Sequence, residues 1–316
     1  MDIAERLRAS VTSVPEGEHT PGLRAVVRHI DAAIKHFERA QDTSDDDAFT
    51  DSIYRTNQAY EGSLKEAYRV IAEKNPHKKT LFDIEQFFQE NKGLRARVLT
   101  QMSRYREDYR NPATHDYKLD FDENEALLAI LSVSAFAKLL ADQICSKIDF
   151  ERARIDINEG KQKIEQVADQ AGISFFESLS DKLLLFLNKA SQSGRTEREN
   201  SSIIAAFLDA SGVNFDRNAT IHGNGFFVEW DILIHAPDGS RIGFDIKSSR
   251  GRQSPAISEE RLSNTAEWLH DSGMQYGFLI EGAARGDKYV RSSAAVPSGV
   301  TVHRLGKEYL PSADNC

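Results

Sequence analysis

Over the first 150 positions, apolar residues recur at intervals of three and four. Between 23 and 37 they fall at Val26, Val27, Ile30, Ala33, Ile34 and Phe37, the spacing of one helix face. Ser44, with a run of acids behind it, reads as the opening of a second helix. That helix continues through Ile53, Tyr60, Leu64, Tyr68 and Ile71, and Asn75-Pro76 ends it. A third helical stretch surrounds 82–88, and a fourth covers 92–109. Asp122-Glu-Asn-Glu125 has the form of a capping box ahead of a long apolar helix through Ile144. Several amphipathic helices with short connections predict a bundle.

The pattern then changes. Residues 158–168 and 175–190 are helical in spacing, and 191–194 (Ser-Gln-Ser-Gly) is a loop and a boundary. Residues 200–210 form another helix. Two short apolar segments follow, Val228-Glu-Trp-Asp-Ile-Leu-Ile234 and Arg241-Ile-Gly-Phe-Asp-Ile-Lys247, joined by the turn Pro237-Asp-Gly-Ser240. A helix over 258–271 and strands over 276–280 and 299–303 complete the series. The expected architecture is α+β and multidomain. An all-α bundle spans 1–150, a helical connector 151–194, and an α/β domain with a central mixed sheet 195–316.

Composition narrows the classes. At 316 residues with 40% hydrophobic content, the chain can build two packed cores. Two cysteines, Cys145 and Cys316, make neither a disulfide framework nor a zinc site. The amino terminus lacks the apolar stretch of a signal peptide, and the apolar run 126–140 is interrupted by Lys138 and two serines. A cytoplasmic protein without a membrane partner is expected. A net charge of −9 argues against indiscriminate coating of nucleic acid, but leaves room for local basic surface. Such clusters occur at Lys247/Arg250/Arg252 and at Arg95/Arg97/Arg104/Arg106/Arg110.

The hairpin carries the sharpest chemistry. Each of its strands holds a carboxylate, and pairing brings Asp231 almost opposite Asp245. Alternation places Lys247 on the face of Asp245. Two acids and a lysine on one sheet edge suit a divalent metal and a phosphodiester, because Mg²⁺ takes hard oxygen ligands and one or two carboxylates. The order of helix, Asp231, Asp245-Ile-Lys247 and helix resembles the PD-(D/E)xK, restriction-endonuclease-like superfamily over about residues 195–305. The resemblance implies that Asp231 and Asp245 hold Mg²⁺ (or Mn²⁺) and that Lys247 orients or activates the attacking water. The family often adds a glutamate from the first helix. Glu199 is favoured for that role and for a third metal contact, with Glu197 and Glu229 as alternatives and Gln253 weaker.

A second motif lies in the helical half. Arg110-Asn-Pro-Ala-Thr-His115 sits between two helices and resembles the Arg-x4-His motif of the HEPN superfamily, over about residues 22–148. The resemblance implies that Arg110 stabilises phosphate charge, that His115 performs acid/base chemistry on a ribose hydroxyl, and that two protomers share the site in a homodimer. Arg24/His29 and Arg217/His222 have the same spacing, but the first pair lies within a helix and the second in a loop. Glu61 either pairs with Arg110 or lies on an exposed face. Together the resemblances imply a nuclease acting on DNA, or otherwise on RNA, in the manner of bacterial anti-phage defence effectors. Alternatives are a metal-independent HEPN ribonuclease guided by the second domain, and a non-enzymatic regulatory or antitoxin-like protein.

Overall fold

Capping groups set the limits of the helices that the apolar periodicity marks out. The computed structural model describes residues 3–91, 94–115, 119–159, 172–189, 196–222, 227–247, 254–282, 288–295 and 299–307. The chain divides into two compact units, Met1–Ile148 and Asp149–Cys316. In the first unit, Thr80 Oγ1 accepts the Asp83 N–H (3.2 Å) while Asp83 accepts the Thr80 N–H (3.0 Å). This capping box opens α4 (Leu81–Glu90). Asp122 and Glu125 make the same reciprocal pair, at 2.9 Å each, at the start of α7 (Glu123–Glu159). Ser44 does not open a helix as expected. It sits in the left-handed region (φ 56°) and closes α2 (Thr20–Thr43), and α3 (Asp47–Ile71) begins after Asp46.

Three more helical segments complete this unit: α1 (Ile3–Ser13), α5 (Ala96–Tyr105) and α6 (Asn111–His115), with a π-helical turn over Arg106–Arg110. Helix α1 precedes the first stretch whose spacing marks a helix face, and its Ala4, Leu7 and Val11 are buried in the common core. Tyr60 lies at the centre of that core, its ring 4.9 Å from Tyr105 and 5.1 Å from Phe136. Its hydroxyl donates to Glu85 Oε1 (2.8 Å), and Arg106 Nη1 donates to Glu85 Oε2 (2.7 Å), so the buried carboxylate is charge-paired and hydrogen-bonded. By length and composition α7 could also cross a membrane, and half of its apolar window is buried within the protein.

The second unit is built on one six-stranded sheet with strand order β1-β2-β3-β4-β6-β5. The strands are β1 (Phe215–His222), β2 (Phe227–His235), β3 (Arg241–Lys247), β4 (Tyr276–Glu281), β5 (Tyr289–Ala295) and β6 (Thr301–Lys307). The three central strands β3, β4 and β6 are parallel, and the pairs β1/β2, β2/β3 and β5/β6 are antiparallel, so the sheet is mixed as expected. Strands β1 and β5 were missed because their polar, half-exposed residues carry no clean alternation. Much of the helix expected over 158–168 lies outside the described residues. The Leu183–Leu187 run belongs to α8 (Gly172–Lys189), whose Phe175, Phe176, Leu179 and Leu183 pack into this unit's own core.

One face of the sheet carries Ile232, Ile234, Ile242, Phe244, Ile246 and Phe278, covered by apolar residues of α8 and α9 (Glu197–Ala210). The other carries Trp230, Leu233, Leu279 and Val302 under Ala266 and Leu269 of α10 (Pro255–Asp271). Two glycines paired across β3 and β4 permit that closeness: a Cβ on Gly243 would lie 2.6 Å from the Trp230 ring, and one on Gly277 2.4 Å from Leu269. Gly243→Ala must displace a fully buried indole. We expect it to destabilise this unit by about 2 kcal/mol, lowering its thermal midpoint by roughly 4–8 °C in calorimetry.

Candidate active site

Side chains of β2 should alternate between the two faces, yet they do not do so throughout. Ile232 and Ile234 point to the α8/α9 side, while Trp230 and Leu233, three positions apart, share the α10 side. The alternation therefore slips at Asp231. Across the sheet, β1 breaks at the matching position: Asn218 takes φ 52°, and the β1/β2 register passes from Arg217↔Ile232 to Ala219↔Trp230 with no pair between. Asn tolerates the left-handed region, so this is where the strand pair can bend. The β2/β3 ladder also ends here, at Ile232↔Phe244. One residue further on, the same register sets Asp231 across from Asp245.

The slip gives Asp231 its position. Its Oδ2 accepts the backbone N–H of Ile246 (2.8 Å), a donor that a regular ladder would spend on β2's main chain. Beside it, Lys247 Nζ lies 2.6 Å from Asp245 Oδ1, and Thr265 Oγ1 on α10 is 3.2 Å from Asp245 Oδ2. Asp245 is buried and Lys247 partly so. Burial pushes the Asp231 carboxyl up to about 7, opposed by the Ile246 N–H and reinforced by the charge of Asp245. For Lys247, burial works against the charge, but Asp245, Asp231 and Glu197 outweigh it and hold the ammonium above its ordinary range. Lys247 is thus a fixed cation.

Glu199, the favoured glutamate, is committed elsewhere. Its Oε2 accepts the Thr196 N–H (2.6 Å) and the Thr196 hydroxyl (2.9 Å), while Thr196 Oγ1 accepts the Glu199 N–H (3.2 Å). That is the N-terminal capping box of α9. Glu197, first residue of the same helix, is the acid whose charge reaches both Asp231 and Lys247. The sequence contained the signal, because Thr-x-x-Glu at a helix start is itself a cap. Glu229 pairs in register with Thr220 of β1. Gln253, Arg250 and Arg252 lie outside the described residues.

Could these groups hold a metal? Among the described residues, no three His, Cys, Asp or Glu side chains form a ready cage. Mg²⁺ requires less, since it keeps waters and takes one or two carboxylates together with substrate phosphate. The donors here, two carboxylates with one already oriented by a backbone N–H, are hard oxygens and fit that cation.

In the helical unit, the segment expected between two helices is itself helical. Arg110 ends the π turn, and residues 111–115 form α6 despite Pro112. The wider turn accounts for this: a proline lacks the N–H of the regular ladder and crowds the carbonyl four residues back, and the π insertion relieves both. Arg110 Nη1 donates to Asn111 Oδ1 (3.1 Å), and the His115 side chain lies outside the described residues. Glu61 pairs with Lys65 (2.6 Å). Arg217 and His222 were expected in a loop but lie on β1, where Arg217 Nη2 donates to Ser202 Oγ (3.1 Å).

No protein-family model, curated protein or solved structure matches this chain.

The Asp231 carboxyl predicts a pH signature. Its folded pKa lies above the ordinary carboxylate value, so the folded state holds the extra proton. Stability is then greatest below about pH 4 as far as this group is concerned, and is lost as pH rises towards 7. Asp231→Asn keeps an acceptor for Ile246 and removes the buried charge. We expect it to stabilise the protein by on the order of 2–4 kcal/mol at pH 8 and by far less at pH 5, measured by urea unfolding at the two pH values.

Proposed function

We propose that the second unit is a nuclease that hydrolyses phosphodiester bonds, in DNA by preference, with a divalent metal at Asp231 and Asp245 and with Lys247 beside them. The observation that carries this reading is the break in β2 that turns Asp231 towards the Asp245–Lys247 pair. The mixed sheet with helices on both faces, and the Asp245-Ile-Lys247 spacing, further support a PD-(D/E)xK-like domain. We read the first unit as a HEPN-like bundle that pairs two copies of the chain, and the whole as a cytoplasmic defence effector.

In the hydrolysis, a water oxygen bonds to phosphorus and sheds a proton to solvent or a carboxylate, while the P–O ester bond breaks and the leaving oxygen takes a proton from solvent to become the hydroxyl of the other product. Mg²⁺ or Mn²⁺, when bound, would lower the pKa of that water and neutralise phosphoryl charge. Asp245 is fixed by Thr265 and by Lys247, and Asp231 by Ile246, so both carboxylates are oriented before any ligand arrives. Lys247 stays protonated and therefore acts as a hydrogen-bond donor that stabilises the growing negative charge at phosphorus, rather than as a base. Glu197 adds a carboxylate at the rim.

Two measurements test this. Cleavage of plasmid and linear DNA in Mg²⁺ or Mn²⁺ should vanish with EDTA and fall by about 10²–10³-fold in Lys247→Ala. Cleavage that survives EDTA, or RNA cleavage lost in His115→Ala, would instead place the chemistry in the helical unit. The two glutamates should separate: Glu197→Ala weakens cleavage with the fold intact. Glu199→Ala costs about 1 kcal/mol of stability through the lost cap and leaves cleavage in place.

A further inference from the structure

Beside the acids lies a second charged cluster that takes no part in the proposed hydrolysis. Glu281, at the end of β4, has a fully buried side chain, and two arginines meet it: Arg304 Nε at Oε2 (2.7 Å) and Arg261 Nη1 at Oε1 (3.0 Å). Ser258 donates to the same carboxylate and accepts from Arg304. Burial would raise the Glu281 carboxyl, but Ser258, Arg304 and Arg261 together hold it below the ordinary range. It is a fixed anion.

The two arginines are not equivalent. Arg304 is buried, and its Nη2 is anchored on the Lys307 carbonyl (3.0 Å), so it belongs to the interior and by itself balances Glu281. Arg261 is then a second cation on an anion that is already neutralised. Its side chain is 30% exposed, and a guanidinium carries five donors in a rigid fork.

Position gives that cation a direction. Glu281 is the register partner of Lys247 across the parallel pair β3/β4, so the two side chains share a face. Thr265, one helical turn after Arg261, is the α10 residue at Asp245, and its Oγ1 also lies 2.9 Å from the Arg261 carbonyl. Along α10, therefore, the turn before the contact to Asp245 places Arg261 at Glu281, on the sheet face that Lys247 shares.

We propose that Arg261, oriented by Glu281 and adjacent to Lys247, is the anchor for a DNA backbone phosphate neighbouring the one that reacts. This rests on the nuclease reading. Because Arg261 is held by the protein before binding, little rotamer freedom is lost when the phosphate arrives.

The test is equilibrium binding of a fluorescent DNA duplex in EDTA, followed by anisotropy across a salt series. Arg261→Gln should weaken binding about tenfold and lower the slope of log K against log salt by about one, the signature of one lost phosphate contact. Its thermal midpoint should fall only modestly, since Arg304 and Ser258 keep Oε2 of Glu281 and the glutamine amide can donate to Oε1 where Arg261 did. In the wild-type protein, phenylglyoxal should modify Arg261 and bound duplex should protect it, a readout that needs no variant to fold. A folded Arg261→Gln with wild-type affinity and slope, or an Arg261 that duplex does not protect, overturns the anchor. If the wild type meanwhile cleaves DNA and Lys247→Ala does not, the nuclease reading survives and only the anchor falls. A wild type that cleaves no DNA in Mg²⁺ or Mn²⁺ removes the reading beneath it, and tighter binding of the equivalent RNA duplex overturns the choice of DNA.

Discussion

The hydrogen bond from the Ile246 N–H to the Asp231 carboxylate is the contact on which the rest of the site depends. A backbone donor at a break in a sheet must find an acceptor, since an unsatisfied buried N–H costs about 1–3 kcal/mol. Asp231 supplies it, and in doing so is carried into a partly buried position beside Asp245. The left-handed Asn218 on β1 and the slip of alternation in β2 are the backbone side of the same arrangement. Local irregularity, a buried acid and a neighbouring lysine arise together from one departure from ideal pairing. Functional sites are where such departures are tolerated.

The charges around this point are arranged in pairs of unequal kind. Asp245 and Lys247 balance each other, and Glu281 and Arg304 do the same inside the protein. Asp231 avoids part of its desolvation cost by holding a proton near neutrality. Among the described residues, Arg261 and Glu197 then stand as charged groups at the rim. A site of this form is costly to the fold: each buried ion needs hydrogen bonds from serine, threonine or backbone, and Ser258, Thr265 and Ile246 supply them.

The helical unit solves a related problem by other means. Glu85 is buried in an aromatic core and would be prohibitive alone, but the Tyr60 hydroxyl and the Arg106 guanidinium satisfy one oxygen each. Arg106 begins the π turn, so the buried pair ties that turn to the core at one end. At the other end Arg110 leads into α6 across Pro112. The Arg-x4-His segment is thereby held as continuous helix rather than as a connection between two helices.

Much of this was legible in the amino-acid order. Period-three-and-four spacing marks α2, α3 and α7. Asp122-x-x-Glu125 caps α7, and Pro237-Asp-Gly-Ser240 joins two strands in a register that sets Asp231 across from Asp245, because a short turn fixes which residues pair beside it. Strands β1 and β5 escaped, since edge strands need no apolar face and thus leave no period. The choice between Glu197 and Glu199 also lay beyond periodicity: both stand in the first turn of α9, and the capping geometry assigns one to the helix end and leaves the other's charge to reach Asp231. By itself the sequence determined which residues could pair across the hairpin. Only the tertiary structure decided that Asp231 is partly desolvated, that Lys247 stays charged, and that Arg261 stands beside them. Burial and the distances between charges are set by which distant elements pack together, and no local pattern encodes that.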